Sequence, residues 1–284
     1  MKLIALDLDG TTVNSNKEIS KENIQAIIKA QQEGHVVMVL SGRAVHFIAA
    51  ELDKYGLNCP IGANNGSSLY VNGELINKIT INKEKSREVV TILDNELVPF
   101  NVATNKGVYA SKDWENRLNN KVLSGSVPKE IMEYRNFKLF TQPPHVYGHS
   151  IYNETDEIIN DDTIEIQKFF VITLDPSQKE RMVTSLNSIE GIGIVPGTIH
   201  VDIMHTDATK GYGLKLMAEY FGIPLEDTIA IGDDANDISM FEISGLSIAM
   251  GNADDFIKEK CDLVTHTNDE HGVAYAINNY VLNS

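Results

Sequence analysis

The chain begins with MKLIALDLDGTT (residues 1–12), and this stretch identifies the fold. Residues 3–8 (LIALDL) are apolar except for Asp7, and an acidic turn follows them. A short apolar run of this kind is typical of a strand that is buried on both faces of a sheet. Asp7 and Asp9 stand two residues apart at the carboxyl end of this strand, so in an extended chain both side chains point to one side. Gly10 then permits a sharp turn, and the strand end becomes a candidate site for carboxylate chemistry.

Helices and strands alternate in the sequence that follows. Ser20 opens a helical pattern, and Gly34 takes the position where glycine usually ends a helix. Residues 36–40 (VVMVL) form a second apolar strand, followed by SGR (41–43) and a helix that reaches about Tyr55. This alternation predicts an α/β fold with a doubly wound, Rossmann-like parallel sheet covered by helices on both faces. Ligands bind at the carboxyl ends of the strands in such sheets, which is where the polar residues stand here.

The middle of the chain has a different pattern. Between about residues 82 and 195 no strand ends in acidic or SGR-like residues. The patterns predict a helix at 83–97, strands within 100–111, at 137–141 and at 167–174, a polar region around Trp114, and a helix from Pro176. The doubly wound pattern resumes with a helix at 210–221. We therefore predict a discontinuous core domain, residues 1–81 and 197–284, with an inserted α+β cap domain at 82–196.

A second acidic strand end lies far along the chain, where GDDAND (232–237) closes the apolar run TIAIG (228–232). The two strand ends together carry five carboxylates, those of Asp7, Asp9, Asp233, Asp234 and Asp237. These groups would repel one another strongly unless a cation lay between them. Oxygen ligands beside a phosphate-binding site favour Mg²⁺ over zinc. A lone DxD is most often only a turn, whereas two acidic ends in one sheet predict a metal site.

Groups that can bind phosphate stand at matching positions. Ser41-Gly42-Arg43 ends the second strand, where a hydroxyl and free backbone N–H groups at a helix start can hold a phosphate. Lys210 begins the helix after the insert, and its ammonium group can reach anionic oxygens. Each signal alone is weak, and most lysines are solvated surface residues. Their positions relative to the acidic pairs make them informative.

The order DLDGT (7–11), SGR, Lys210 and GDDAND resembles the haloacid dehalogenase (HAD) superfamily of phosphotransferases. Asn65-Gly66, AMGNA (249–253) and DEHGVAYAI (269–277) resemble its Cof-type, or HAD-IIB, sugar-phosphate phosphatase branch. That branch carries an α+β cap between its second and third motifs, where the insert lies in this sequence. The resemblance covers the predicted core and implies a HAD-like fold, while the cap resembles the family only in position and size.

The resemblance implies a Mg²⁺-dependent phosphatase that hydrolyses small phosphorylated metabolites, above all sugar phosphates, through an aspartyl-phosphate. Asp7 would be the nucleophile. Asp9 would protonate the leaving alcohol and then deprotonate the hydrolytic water, and Lys210 would complete the catalytic set. The cap would select the substrate.

The resemblance also implies how the ligands are held. Mg²⁺ would be bound by Asp7, the backbone carbonyl of Asp9 and Asp233, with Asp237 as a ligand or close partner. Phosphate oxygens would be held by Ser41, Lys210, Asn236 and the backbones of Leu8 and Gly42. Arg43 and Asn65 would lie at the mouth of the site, facing the cap. Asp234 stands where the family often has a small neutral residue, and the resemblance assigns it no role.

Three other kinds of protein carry some or all of the same residues. A phosphomutase or phosphotransferase would employ the same phosphoaspartate, and transfer without net phosphate release would identify it. A non-catalytic metabolite-binding protein would not need the full set of Asp7, Asp9, Lys210 and Asp233. A phospho-receiver domain also combines acidic residues with a lysine, but its phosphorylated aspartate ordinarily follows a middle strand and it has no comparable cap.

Composition restricts the partners. The 284 residues suit two unequal cores, and 24 Lys and Arg against 40 Asp and Glu give a net charge of −16. So acidic a surface repels phosphate backbones and anionic membranes, which argues against a nucleic-acid or membrane partner. Cys59 and Cys261 cannot form a disulfide framework, and the sequence shows no signal peptide or membrane span. We expect a cytoplasmic monomer whose partner is a small phosphorylated metabolite.

Overall fold

The computed structural model describes residues 1–134 and 136–282. The chain forms two compact units, one made of Met1–Lys78 with Ala208–Ser284 and the other of Ile79–Asp207. The strands are β1 (Leu3–Leu6), β2 (Val36–Leu40), β3 (Ile61–Ala63), β4 (Ser68–Val71), β5 (Glu74–Lys78), β6 (Phe100–Thr104), β7 (Gly107–Ser111), β8 (Ser150–Tyr152), β9 (Ile166–Ile172), β10 (Ile192–Pro196), β11 (His200–His205), β12 (Thr228–Gly232), β13 (Leu246–Ala249) and β14 (Leu263–Val264). The α-helices are α1 (Lys21–Gln32), α2 (Val45–Asp53), α3 (Lys83–Asn95), α4 (Trp114–Leu123), α5 (Lys129–Met132), α6 (Phe137–Phe140), α7 (Asp156–Ile159), α8 (Pro176–Leu186), α9 (Lys210–Phe221), α10 (Ile238–Phe241), α11 (Asp255–Lys258) and α12 (Gly272–Tyr280).

The first unit is built on an eight-stranded sheet with the order β14-β13-β12-β1-β2-β3-β4-β5. The strands from β14 to β3 are parallel, and β4 and β5 add an antiparallel edge. The strand order reverses at β1, which lies between β2 and β12. Ligands bind at such a reversal in open α/β sheets, beyond the carboxyl ends of the strands. The predicted doubly wound parallel sheet is confirmed.

Successive residues of β1 belong to cores on opposite faces of this sheet. Ile4 and Leu6 lie in one buried cluster with side chains of α1 and α12. Leu3 and Ala5 lie in another, with side chains of α9. Because every residue of β1 is fully buried, the strand is a continuous apolar run rather than an alternating one.

Local signals in the sequence agree with the structure of this unit. The Ser20 side chain caps α1 by accepting from the backbone N–H of Asn23, and Gly34 has a φ of +87° just after the helix. Asn72 and Gly73, with φ of 52° and 80°, form the tight turn between the antiparallel strands β4 and β5. The helix boundaries at Ser20 and Gly34 are therefore confirmed.

The second unit is built on a six-stranded sheet with the order β10-β11-β9-β6-β7-β8. Its pairs are antiparallel except for β7 with β8. Side chains of α3 and α8 form one core with Phe169 and Val171 of β9. Trp114 and Leu118 of α4 form a smaller cluster with Ile172. This unit is an α+β structure, as the sequence predicts.

Two stretches of this unit differ from the sequence-based prediction. The pattern predicts a strand at 137–141, but Phe137–Phe140 is a single helical turn that directs Phe137 and Phe140, three residues apart, towards the Trp114 cluster. The polar region around Trp114 is the helix α4. Its apolar residues recur at Trp114, Leu118 and Val122, a helical spacing that the surrounding polar residues mask.

The second unit also extends further than predicted at its carboxyl end. Strand β11 pairs with both β9 and β10, so it belongs to the second sheet. The unit therefore ends at Asp207, whereas the sequence places the return to the core domain at residue 197. Across the described residues, no helix is both long enough and apolar enough to cross a membrane.

Candidate active site

Three carboxylates meet at the carboxyl ends of β1 and β12. Asp7 directly follows β1, and Asp233 and Asp237 follow β12. One oxygen of each lies within 4.8 Å of the others. Asp7 and Asp237 are buried, and Asp233 is partly buried. Carboxylate oxygens gathered in this way suit a hard divalent cation such as Mg²⁺, so the donor set fits the predicted metal.

Lys210, the first residue of α9, supplies a positive charge beside them. Its side chain is fully buried, and its Nζ lies 2.5 Å from Asp7 Oδ1 and 2.5 Å from Asp237 Oδ1. Burial alone would lower the pKa of Lys210, but the two carboxylates outweigh burial and raise it. The lysine therefore stays charged and joins the nucleophile candidate to the loop after β12.

Asp237 organises that loop. Its Oδ2 accepts hydrogen bonds from the backbone N–H groups of Asp233 at 2.9 Å and Asp234 at 3.0 Å, while its Oδ1 binds Lys210. A Cβ at residue 232 would lie 2.4 Å from the Asp237 carboxyl carbon, so the glycine there permits this close approach. In this structure Asp237 therefore holds both Lys210 and the backbone of the loop in place.

Asp234, whose role the sequence leaves open, caps the short turn Ala235–Asp237. Its carboxylate accepts from the backbone N–H of Ala235 at 2.7 Å and forms a capping box with Asp237. It does not belong to the group of three carboxylates that lie within 4.8 Å. The extra negative charge therefore has a structural explanation in the turn.

Asp233 is fixed by the acidic turn after β1. Thr11 Oγ1 donates to Asp233 Oδ1 at 2.8 Å. Gly10 has a φ of +79°, and a Cβ there would lie 2.2 Å from Asp233 Oδ2. Glycine therefore serves twice at this position, because it adopts the left-handed backbone and leaves room for the carboxylate.

Burial and mutual repulsion perturb the carboxylates of this cluster. Burial, followed by the charge of Asp237, raises the pKa of Asp233 to about 7. Burial also raises the pKa of Asp7 well above its usual value, and the attraction of Lys210 offsets this only in part. A bound cation would reverse this preference by stabilising the ionised carboxylates.

The raised pKa of Asp233 predicts how the stability of the metal-free protein depends on pH. Because the pKa of Asp233 is higher in the folded state, its protonated form favours folding, and this contribution is lost as the pH rises from about 4 to about 7. In EDTA, the melting temperature of the wild type minus that of Asp233→Asn should therefore fall across this range. Addition of Mg²⁺ should restore the melting temperature of the wild type at pH 7. A melting-temperature difference that is constant or rises with pH would contradict the raised pKa of Asp233.

Asp9 is oriented differently from Asp7. Its carboxylate forms a bidentate pair with Arg43, with distances of 2.7 Å from Nε to Oδ2 and 2.6 Å from Nη2 to Oδ1. Burial opposes ionisation of Asp9, but the hydrogen bonds and charge of Arg43 outweigh it and lower the pKa. The sequence indicates that Asp7 and Asp9 could face one site, whereas in this structure Arg43 holds the Asp9 side chain.

The candidate phosphate-binding residues come from the ends of β2, β3 and β12. Ser41 is buried, and its Oγ accepts from the backbone N–H of Arg43 at 3.3 Å. Asn236 Nδ2 donates to Asn65 Oδ1 at 3.0 Å, and a Cβ at Gly42 would lie 3.1 Å from the same oxygen. These contacts join the SGR and GDDAND segments, which are far apart in sequence.

Asn65 and Leu8 are both buried beside these strand ends. The family resemblance places Asn65 at the mouth of the site, but its side chain is only 2% exposed and bridges to Asn236. It therefore connects the two strand ends from within. Leu8 is fully buried, and its backbone carbonyl accepts from the N–H of Val13 at 2.8 Å, which closes the acidic turn.

Three further residues contact this cluster, and the sequence patterns alone do not single them out. Thr11 binds Asp233, and Thr12 Oγ1 donates to the backbone carbonyl of Asp7 at 2.6 Å. Asn252 Nδ2 donates to the carbonyl of Gly10 at 2.8 Å. The two threonines belong to the acidic turn DGTT and Asn252 to the segment AMGNA, so membership of these motifs is the signal that the sequence offers.

Comparison with known proteins places these residues in a family context. A family described as haloacid dehalogenase-like hydrolase matches residues 4–277. Phosphatase YwpJ of Bacillus subtilis (strain 168) is 33% identical over 288 residues, covering 97% of this chain and 98% of that protein. The 5-amino-6-(5-phospho-D-ribitylamino)uracil phosphatase YwtE of the same organism is 33% identical over 287 residues, covering 98% and 97%.

Comparison with a solved structure points to the same family. A haloacid dehalogenase-like hydrolase from B. subtilis superposes with a TM-score of 0.85 at 30% sequence identity. The match covers 99% of this chain and 100% of that chain. The similarity therefore extends over both units, including the one that the sequence motifs describe only by position and size.

Proposed function

This chain belongs to the haloacid dehalogenase-like hydrolases, and from this premise we propose that it releases phosphate from small phosphorylated sugars and polyols through a phosphorylated Asp7. Its relatives are phosphatases, and the chain is a hydrolase of phosphate monoesters. The observation that carries the proposal is the buried contact of Lys210 with Asp7, beside Asp233 and Asp237. The relative YwtE is named for a phosphorylated ribityl compound, which supports a polyol phosphate as the substrate class.

The reaction would proceed in two displacements at phosphorus. The Asp7 carboxylate attacks phosphorus, the ester P–O bond breaks, and the departing alkoxide takes a proton. Water then attacks phosphorus, the acyl phosphate bond breaks, and inorganic phosphate leaves with Asp7 regenerated. Lys210 orients Asp7 through Oδ1 and places a fixed positive charge where the phosphoryl oxygens gather negative charge.

The metal site would be formed by Asp7, Asp233 and the backbone carbonyl of Asp9, with Asp237 positioning the loop. Bound Mg²⁺ would shield the attacking carboxylate from the phosphate and neutralise charge in the transition state. Ser41, Asn236 and the backbones of Leu8 and Gly42 would bind the remaining phosphate oxygens. The second unit would supply the residues that select the substrate.

Asp9 would act as the general acid and base. In the arrangement seen here it is paired with Arg43, whose charge keeps the pKa of Asp9 below its usual value and favours the ionised form. That form can accept a proton from the hydrolytic water. To donate a proton to the leaving alkoxide, Asp9 must first be protonated, which requires release from Arg43.

Substitution of Asp9 by asparagine should separate substrates by their leaving groups. Asp9→Asn is expected to slow formation of the phosphoenzyme from a sugar phosphate by roughly 10²–10⁴-fold, because the departing alkoxide needs a proton; the pre-steady-state burst of released alcohol measures this step. The loss for an aryl phosphate should be much smaller, since a phenolate leaves unprotonated. Asp255→Asn, at a carboxylate that is 96% exposed on α11, is the matched control. Equal losses on both substrates would exclude the acid role.

The proposed function is tested by measuring phosphate release from sugar, polyol and nucleotide phosphates and an aryl phosphate, with Mg²⁺ or EDTA. Mg²⁺-dependent release that is highest for sugar or polyol phosphates would support the proposal. Transfer between phosphate positions without net release would instead indicate a phosphomutase. No release from any compound by folded, Mg²⁺-loaded protein would contradict it.

A further inference from the structure

We propose that Asn252 is a positioning residue that fixes the orientation of Asp233, an inference that rests on the proposed function. Asn252 lies between β13 and α11, outside the motifs to which that function assigns roles. Its Nδ2 donates to the Gly10 carbonyl at 2.8 Å and also lies 3.4 Å from Asp233 Oδ2. One amide group therefore contacts both the turn after β1 and the carboxylate after β12.

Asp233 is held from two sides as a result. Thr11 donates to its Oδ1 at 2.8 Å, and Asn252 approaches its Oδ2. Groups that hydrogen-bond a metal ligand from outside fix its direction and tune its affinity for the ion. Each carboxylate oxygen of Asp233 has two lone pairs and accepts one hydrogen bond here, so it can still bind a cation.

The chemistry of the side chain explains why an amide stands here. The Asn252 amide nitrogen carries two hydrogens, one for the Gly10 carbonyl and one for Asp233. An aspartate would offer no donor to either acceptor. It would also place a negative charge close to Asp233, whose pKa is already raised by burial and by a neighbouring carboxylate.

Asn252 is itself held in place although it is exposed. Its Oδ1 accepts from the backbone N–H of Asn268 at 2.9 Å, and Asn268 Nδ2 donates to the Val13 carbonyl at 3.0 Å. A Cβ at Gly251 would lie 2.9 Å from the backbone nitrogen of Thr267, so this loop packs closely on the segment before α12. These hydrogen bonds fix the direction of the Asn252 amide, so its nitrogen points towards Asp233 although the residue is exposed.

The test compares Asn252→Asp and Asn252→Ala with wild type by measuring melting temperature against Mg²⁺ concentration. Asn252→Ala, which removes the donors without adding charge, should raise the Mg²⁺ concentration for half-maximal stabilisation by roughly 10–100-fold and reduce kcat/KM by a similar factor. Asn252→Asp also removes the donors, but its negative charge attracts Mg²⁺, so its midpoint should rise less than that of Asn252→Ala. Asn279→Asp is the matched control, because Asn279 is also exposed and donates to a backbone carbonyl, that of Tyr275, at 2.8 Å.

The outcomes separate this inference from the proposed function. A wild type that needs Mg²⁺ for activity, together with an unchanged Mg²⁺ midpoint in Asn252→Ala and Asn252→Asp, would overturn the role of Asn252 alone. A lower melting temperature without a shifted midpoint would do the same, since a purely structural role predicts that result. A wild type that neither binds Mg²⁺ nor releases phosphate would overturn the proposed function instead.

Discussion

Replacement of Asp7 by asparagine is expected to reduce phosphate release by at least about 10³-fold on every substrate, because the amide cannot attack phosphorus. The loss should appear in kcat, since the proposed phosphate-binding groups such as Ser41 and Asn236 remain. The measurement is steady-state phosphate release with saturating Mg²⁺. Under the same conditions Asp255→Asn, a change at an exposed carboxylate, should retain wild-type activity.

The same substitution should leave the protein folded. Burial raises the pKa of Asp7, so the ionised carboxylate is disfavoured in the folded protein and a neutral amide removes that penalty. Lys210 keeps its contact with Asp237 in the variant. We therefore expect a metal-free melting temperature at pH 7 equal to or above that of wild type. Residual Mg²⁺-dependent turnover within about tenfold of wild type would exclude Asp7 as the nucleophile.

Replacement of Lys210 by methionine should lower both activity and stability. The substitution leaves Asp7 and Asp237 buried without their shared cation, which should lower the free energy of unfolding by about 3–5 kcal/mol at neutral pH. Loss of the charge that we propose faces the phosphoryl oxygens should reduce kcat by roughly 10²–10³-fold. Denaturant unfolding and phosphate release on the same preparation measure the two effects.

A second lysine of α9 provides the control for this prediction. The Lys215 side chain is 52% exposed, and its Nζ lies 4.0 Å from Glu219 Oε1. Lys215→Met should therefore change the free energy of unfolding by no more than about 0.5 kcal/mol and leave activity intact. The deficit of Lys210→Met should also shrink at lower pH, where protonation neutralises the uncompensated carboxylates. A stability equal to that of wild type at pH 7 would contradict the buried pairing.

The amino-acid sequence is sufficient to predict the fold of the first unit and the location of its candidate site. Strands that are buried on both faces give continuous apolar runs, and parallel strands bring their carboxyl ends to one edge of the sheet. Sequence patterns alone therefore place the residues after β1 and β12 close together. In the folded chain Asp7 and Asp233 lie at that edge with Lys210.

Side-chain orientation and local helices do not follow from the same patterns. The spacing of Asp7 and Asp9 gives the direction of both side chains only while the strand is extended, and the turn at Gly10 lets Asp9 bind Arg43 instead. The apolar positions of α4 are too few among polar residues to identify a helix. Asn252 lies in a loop, where no periodicity indicates which side chain will reach Asp233.

The pairing of β1 with both β2 and β12 also affects the order in which the parts of this protein can fold during synthesis. Leu3 pairs with Val36, made shortly after it, and with Thr228, made only when most of the chain exists. The second unit, Ile79–Asp207, is continuous and fully synthesised before Lys210 or Asp233. Domains generally fold as units while the ribosome is still working. A nascent chain that already displays a folded second unit would therefore carry Asp7, the proposed nucleophile, without Lys210 or Asp233, and we expect prematurely terminated chains to have no phosphatase activity.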